Sequence, residues 1–170
     1  MMTVMLKVIR LHMDYVDQLL SDDTDLRVIH LVRDPRGLVD AWKRMAGSTT
    51  AMQLNGKLIC RRMMTDCQIR RRLELKYPGR ILLLRYEDLV TSTDEVLDRV
   101  YRGLLELALP SDVVDVINEQ VHASSFDGPY GTRRTNGTAT ATRWRRTVNG
   151  SLLHYINDAC RPLLDELDYR

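Results

Sequence analysis

Val28-Ile29-His30-Leu31-Val32-Arg33-Asp34-Pro35-Arg36-Gly37 is the stretch on which the fold turns. Residues 27–32 are nearly continuous β-formers and read as a buried, parallel strand. Arg33 to Gly37 breaks that strand. A helix is expected from about Arg36 to Met45, with Pro35 suited to its first turn. In open α/β sheets, ligands bind at the carboxyl ends of strands. A helix N-terminus presents free N–H groups and a positive dipole end to an anion. Arg33 adds a bidentate donor matched to a pair of phosphate oxygens. Elementary chemistry thus predicts an anion site at Arg33. The competing reading is a local Arg33–Asp34 ion pair that braces the turn. Arg36, on the helix's first turn, reads as a brace or as solvated.

Outward from this unit, strands and helices alternate. Met5 to Leu11 (MLKVIRL) reads as a short strand, and Met13 to Leu20 as a helical turn or two. Residues 57–77 form a longer helix, with Cys60, Met63, Met64 and Cys67 on one apolar face. Tyr77-Pro78-Gly79 stops it, and Arg80 to Arg85 (RILLLR) is a second apolar strand. Ser92 and Glu95 form a capping-box pattern ahead of a helix carrying Val96, Leu97, Val100, Tyr101, Leu104 and Leu105 on one face. Pro110-Ser111 opens another helix, with Val113, Val114, Ile117 and Val121 inward. Residues 122–142 read as a loop, and about Ser151 to Leu167 as a last helix that Pro162 kinks or divides. This order indicates an α/β fold with a mainly parallel sheet. Two or three strands do not complete such a sheet, so the fold is expected to be cut short on its N-terminal side.

Charge is placed more unevenly than the net +2 suggests. Residues 57–80 hold eight Lys/Arg and two acids, residues 133–146 five Arg and no acid, and residues 85–119 nine acids and three Arg. Such clusters suit an anion-binding protein and equally suit solvated faces. No apolar stretch approaches the roughly 20 residues of a spanning helix, and residues 1–10 are not a signal peptide. Aromatic residues are only 6%, with no stacking platform, so a nucleic-acid partner is not expected. Cys60, Cys67 and Cys160 lack metal-ligand spacing and the four His are scattered, so no metal is expected. Cys60 and Cys67 lie about 10.5 Å apart along a helix, too far to pair. Sequons at Asn136-Gly137-Thr138 and Asn149-Gly150-Ser151 mark a candidate glycoprotein and tilt the expected compartment to the secretory lumen. Asn55-Gly56-Lys57 lacks the first Gly and the Ser/Thr of a phosphate loop and is a decoy.

RVIHLVRDPRG resembles the 3′-phosphate-binding motif of carbohydrate (Golgi-type) sulfotransferases. The resemblance continues in order through Leu58 to Cys60 with Asp66, Tyr77-Pro78-Gly79-Arg80, Leu84-Arg85-Tyr86-Glu87-Asp88-Leu89, and Tyr101 with Leu104. It ends at Trp144-Arg145 and at Cys160 with Leu167-Asp168-Tyr169, where the family has Leu-Gly-Tyr. It implies one domain over 1–170, N-terminally truncated. The implied fold is an incomplete three-layer parallel sheet of the P-loop-like sulfotransferase type, with a helix-rich C-terminal half. The implied donor is 3′-phosphoadenylyl sulfate, the acceptor a glycan hydroxyl, and the parent a type II protein of the Golgi lumen, anchored by a segment absent from this chain. The implied donor-binding set is Arg33, Asp34, Arg36, Ala41, Tyr86 and Arg145. Arg33 matches the arginine on the 3′-phosphate, and Tyr86 the tyrosine near adenine, though the residue alone reads equally as a core tyrosine. Arg145, with Trp144, matches a basic segment closing over the nucleotide; Trp144 alone reads as helix packing. Cys60 and Cys160 match family cysteines that could bridge; three free thiols are the alternative.

Two departures stand out. Ala41 occupies the position of a family serine that bonds the 3′-phosphate, with Trp42 after it and Asp40 before it. Losing one such hydrogen bond costs roughly 1.5–3 kcal/mol, or about one to two decades of affinity. The Gly-rich loop for the 5′-phosphosulfate does not precede Met5, leaving no evident stabiliser of the leaving group. No general base stands out: His12, His30, Asp66 and Glu87 are candidates by type alone, and His30 reads as structural. The alternative function is a non-enzymatic module that binds a nucleotide phosphate or sulfated glycan through Arg33 and the basic helix 61–72.

Overall fold

Two short apolar runs become strands because each supplies the other's hydrogen bonds. In the computed structural model, which describes residues 4–9, 11–46, 49–121 and 136–170, β1 (Val28–Val32) pairs in parallel with β2 (Ile81–Arg85), Val28 opposite Ile81 and Val32 opposite Arg85. A parallel pair needs a long crossover. Here it is α2 (Pro35–Ala46) followed by α3 (Thr49–Lys76). Pro35 takes the first helical position of α2, as expected. Gly79 ends the turn after α3 with φ +74°, a conformation that glycine adopts without a Cβ penalty.

Before β1 lie a 3₁₀ turn (Met13–Tyr15) and α1 (Val16–Asp22). After β2 come α4 (Tyr86–Thr91), α5 (Thr93–Asp98) and a wide π-type turn (Arg99–Leu104) in which Leu105 N–H reaches the Val100 carbonyl. Then follow α6 (Ser111–Val121), α7 (Gly137–Thr142), α8 (Trp144–Thr147) and α9 (Gly150–Glu166). The result is a helix-rich α/β fold around a small parallel sheet. The main core lies where α3, α9 and α2 meet, with Val39, Cys60, Cys67, Leu152, Ile156 and Leu163 all buried. A second cluster joins Met13, Val16 and Leu20 to Ile69, Leu73 and Ile81.

Several expectations need correction. Residues 4–9 form no strand; Met5 and Leu6 are 77% and 81% exposed, with no strand alongside among the described residues to accept their hydrogen bonds. β1 is parallel but buried on one face only, since Ile29 and Leu31 are exposed. Ser92 takes the N-cap position of α5 but its hydroxyl makes no cap bond. The expected loop 122–142 falls partly outside the described residues; its end, 137–142, is helical because the Asn136 side chain accepts the Ala139 N–H and caps it. Pro162 does not divide α9; it and Asp158, whose carbonyl it leaves without a donor, lie on the exposed side. α3 begins at Thr49 rather than at the expected residue 57, so Asn55-Gly56-Lys57, read as a decoy, lies inside a helix, with Gly56 packed near Val39.

Candidate functional site

Arg33 leaves the carboxyl end of β1 where the chain turns into α2. Its side chain is half-buried, with the guanidinium 4.8 Å above the ring of Tyr86. One terminal nitrogen, Nη2, donates to the Thr140 carbonyl at 3.4 Å, and the buried Nε has no hydrogen-bond partner. No carboxylate pairs with Arg33 among the described residues. The expected alternative, an Arg33–Asp34 brace, is therefore not what forms. Asp34 instead pairs with Arg36 through bonds of 2.7–3.1 Å, both side chains being buried.

This pairing changes the helix terminus. Asp34 Oδ1 accepts the Arg36 N–H at 2.8 Å and caps α2. The Asp34 N–H is in turn spent on Glu87 Oε1 at 3.1 Å. Pro35 has no N–H to give. The terminus thus already holds two carboxylates, and the Gly37 N–H is the early donor left without an acceptor among the described residues. A Cβ on Gly37 would stand 3.3 Å from Trp144 and 3.5 Å from Arg33 Nε, so glycine here permits both to approach.

The other expected residues are placed as follows. Tyr86 lies under Arg33, packed with Val90 and Ala141. Ala41 is half-buried on the second turn of α2 and brings no hydroxyl. Asp40 does point inward, but its charge is met by the Thr147 hydroxyl at 2.6 Å and Arg44 at 3.4 Å. Trp144 is 4% exposed and its ring meets two guanidinium groups, Arg36 at 4.2 Å and Arg145 at 4.6 Å. Arg145 is exposed and donates to the Arg170 carbonyl, which also accepts from Arg36.

Three of the four candidate bases, His12, Asp66 and Glu87, have structural partners. His12 faces Asp66 at 3.7 Å, and Asp66 accepts the Met13 N–H. Glu87 Oε2 accepts the Tyr169 hydroxyl at 2.9 Å. Burial holds the His30 imidazole below its ordinary value, and its Nδ1 is unpartnered. The basic helix is not a uniform cationic face either: Arg70 and Arg71 both pair with Glu166 of α9. Residue types alone gave no sign of Thr140 and Tyr169 as neighbours of the turn, since both arrive from more than 100 residues downstream.

Cys60 and Cys160 are bridged, with Cα atoms 5.2 Å apart, and Cys67 is a buried free thiol. No group of His, Cys, Asp and Glu able to hold a metal occurs among the described residues. No helix among them is long and apolar enough to cross a membrane.

Carbohydrate sulfotransferase 1 of Danio rerio is 28% identical over 164 residues, covering 86% of this chain and 39% of that protein. The human carbohydrate sulfotransferase 1 is 30% identical over 168 residues, with the same coverage. The Rattus norvegicus carbohydrate sulfotransferase 3 is 25% identical over 179 residues, covering 94% of this chain and 37% of that protein. The chain thus spans about two fifths of the length of these relatives. No solved structure matches. A profile described as Sulfotransferase family matches residues 6–109, more than half of the chain and the whole of the β1–α2–α3–β2 unit, and the chain belongs to that family.

Proposed function

We propose that this domain binds 3′-phosphoadenylyl sulfate through its 3′-phosphate and serves sulfate transfer to a carbohydrate hydroxyl. The observation that carries the reading is the Arg33 guanidinium. It stands at the carboxyl end of a parallel strand, unmatched by any carboxylate among the described residues, with a buried donor left open. A buried polar atom without a partner calls for an acceptor. A phosphate oxygen pair is the acceptor whose geometry the guanidinium fits. In this reading Arg33 and the Gly37 N–H hold the phosphate, and Tyr86 supports the guanidinium from below and lies near the adenine. Asp34 and Arg36 act through each other, fixing the start of α2. Arg145, stacked on Trp144, closes the rim.

The acceptor class follows the relatives, which are named carbohydrate sulfotransferases. A Golgi-lumen location agrees with the Cys60–Cys160 bridge, since disulfides persist in oxidising compartments. The finer architecture proposed is one sulfotransferase-like domain whose two strands belong to a three-layer, P-loop-like sheet.

Calorimetric titration with adenosine 3′,5′-bisphosphate tests the site. Arg33→Ala is expected to weaken binding by about 10- to 100-fold, the worth of a charge-assisted hydrogen bond. Unchanged binding in that variant, or none in the wild-type chain, removes the assignment. Sulfate transfer to glycan acceptors is measured next. Binding without transfer favours a phosphate-binding module, the reading supported by the structural partners of Glu87 and His12.

A further inference from the structure

Resting on the phosphate site just proposed, we infer that Tyr169 and Glu87 are positioning residues, through which the C-terminal tail sets the Arg33 turn for the donor's 3′-phosphate. The relay is short and continuous. The Tyr169 hydroxyl donates to Glu87 Oε2 at 2.9 Å, and Glu87 Oε1 accepts the backbone N–H of Asp34 at 3.1 Å. That N–H belongs to the peptide unit leaving Arg33, so its direction governs where the Arg33 side chain and the first turn of α2 stand. The local Asp34–Arg36 pair fixes the start of α2 from within, and the relay adds a hold from a distance, joining residues 34, 87 and 169.

The tail is itself held. After α9, the Tyr169 N–H bonds the Leu164 carbonyl and the Asp168 N–H bonds the Asp165 carbonyl, with Asp168 at φ 52°. These are the two bonds of a Schellman ending, which points the next side chain in a defined direction. Arg85 clamps the same segment by donating to the Leu167 and Asp168 carbonyls at 2.8 and 3.1 Å, and its guanidinium lies 5.3 Å from the Tyr169 ring. Tyr169 is 9% exposed; burial and the Glu87 carboxylate push its phenol well above the ordinary value, so the hydroxyl stays protonated and donates. Glu87, a candidate base by type, has both oxygens occupied in this relay, which makes it a scaffold for the turn.

The relay acts on one part of the ligand, so its removal is selective. Tyr169→Phe deletes one oxygen. In the 170-residue chain it is expected to weaken adenosine 3′,5′-bisphosphate by about five- to tenfold, the equivalent of one hydrogen bond. Adenosine 5′-monophosphate, which lacks the 3′-phosphate, should bind the variant and the wild type alike. In the Arg33→Ala background, Tyr169→Phe should change nothing further, because the group it positions is gone. Equal loss of both ligands, or full additivity with Arg33→Ala, would show a role in stability alone and overturn the inference. Wild-type affinity for the bisphosphate in Tyr169→Phe overturns it too. Failure of the underlying site shows differently, as Arg33→Ala binding the bisphosphate like wild type. Should Tyr169→Phe fold poorly by circular dichroism, Glu87→Gln, which keeps the side-chain shape and loses the charge, gives the same selective comparison.

Discussion

Asp168 occupies the left-handed position at which a helix ending favours glycine. The strain is small for aspartate but real. Its carboxylate pairs with Arg170 on the surface, a contact worth little because both side chains are exposed. Asp168→Gly is therefore expected to stabilise the chain by about 0.5–1 kcal/mol, seen as a rise of about 1–4 °C in thermal unfolding. Two further residues give pH-dependent readouts. Burial pushes the Cys67 thiol up to about 11, so in the native chain at pH 8 it should resist alkylation and react only after unfolding; mass spectrometry distinguishes the two. Burial holds His30 below its ordinary 6.5. The unfolded chain therefore binds a proton more readily than the native one, and stability falls as pH drops below 6.5. Urea unfolding at pH 5 and pH 7.5 should differ less in His30→Gln than in wild type.

At the scale of elements, the β1–α2–α3–β2 unit was legible, apart from the start of α3 at Thr49, because each signal was local. β-branched runs, a proline at a first helical turn and a Tyr-Pro-Gly stop need no distant partner. The segment 4–9 misled for the opposite reason: its composition is that of a strand, but a strand requires a neighbour. The start of α7 was hidden because one asparagine cap, invisible in composition, converts a Thr-rich stretch into a helix. Within the proposed site, the position of Arg33 at the end of a strand was legible in the sequence. The use of Asp34 and Glu87 as caps was not, since both depend on who arrives nearby. The α3–α9 contact is the most extensive helix pair among the described residues and is stapled by Cys60–Cys160, closing a sequence separation of 100. By loop-closure entropy, removing the staple by Cys160→Ser is expected to cost about 2–5 kcal/mol, measured by denaturant unfolding.

The whole molecule carries an unequal surface. One face of β1 shows Ile29 and Leu31, and residues 4–9 add Val4, Met5, Leu6, Val8 and Ile9. Exposed apolar patches and open strand edges promote association. Leu31→Thr, at a position 56% exposed, should shift stability by less than about 0.5 kcal/mol and reduce concentration-dependent association in sedimentation experiments. Sequence patterning could not foretell this asymmetry, because the alternation within β1 is masked by apolar residues on both faces.

The staple between Cys60 and Cys160 also has a consequence in time. The partner of α3 lies about a hundred residues downstream. At about 5–20 residues per second of synthesis, the nascent α3 waits several seconds with its apolar stripe uncovered. During that wait Cys60 is a thiol with no correct mate, because Cys160 has yet to be made. Oxidation too early has only wrong outcomes, so the yield of native protein in a cell should depend on an isomerase and a hydrophobic-stripe-binding chaperone acting before α9 emerges.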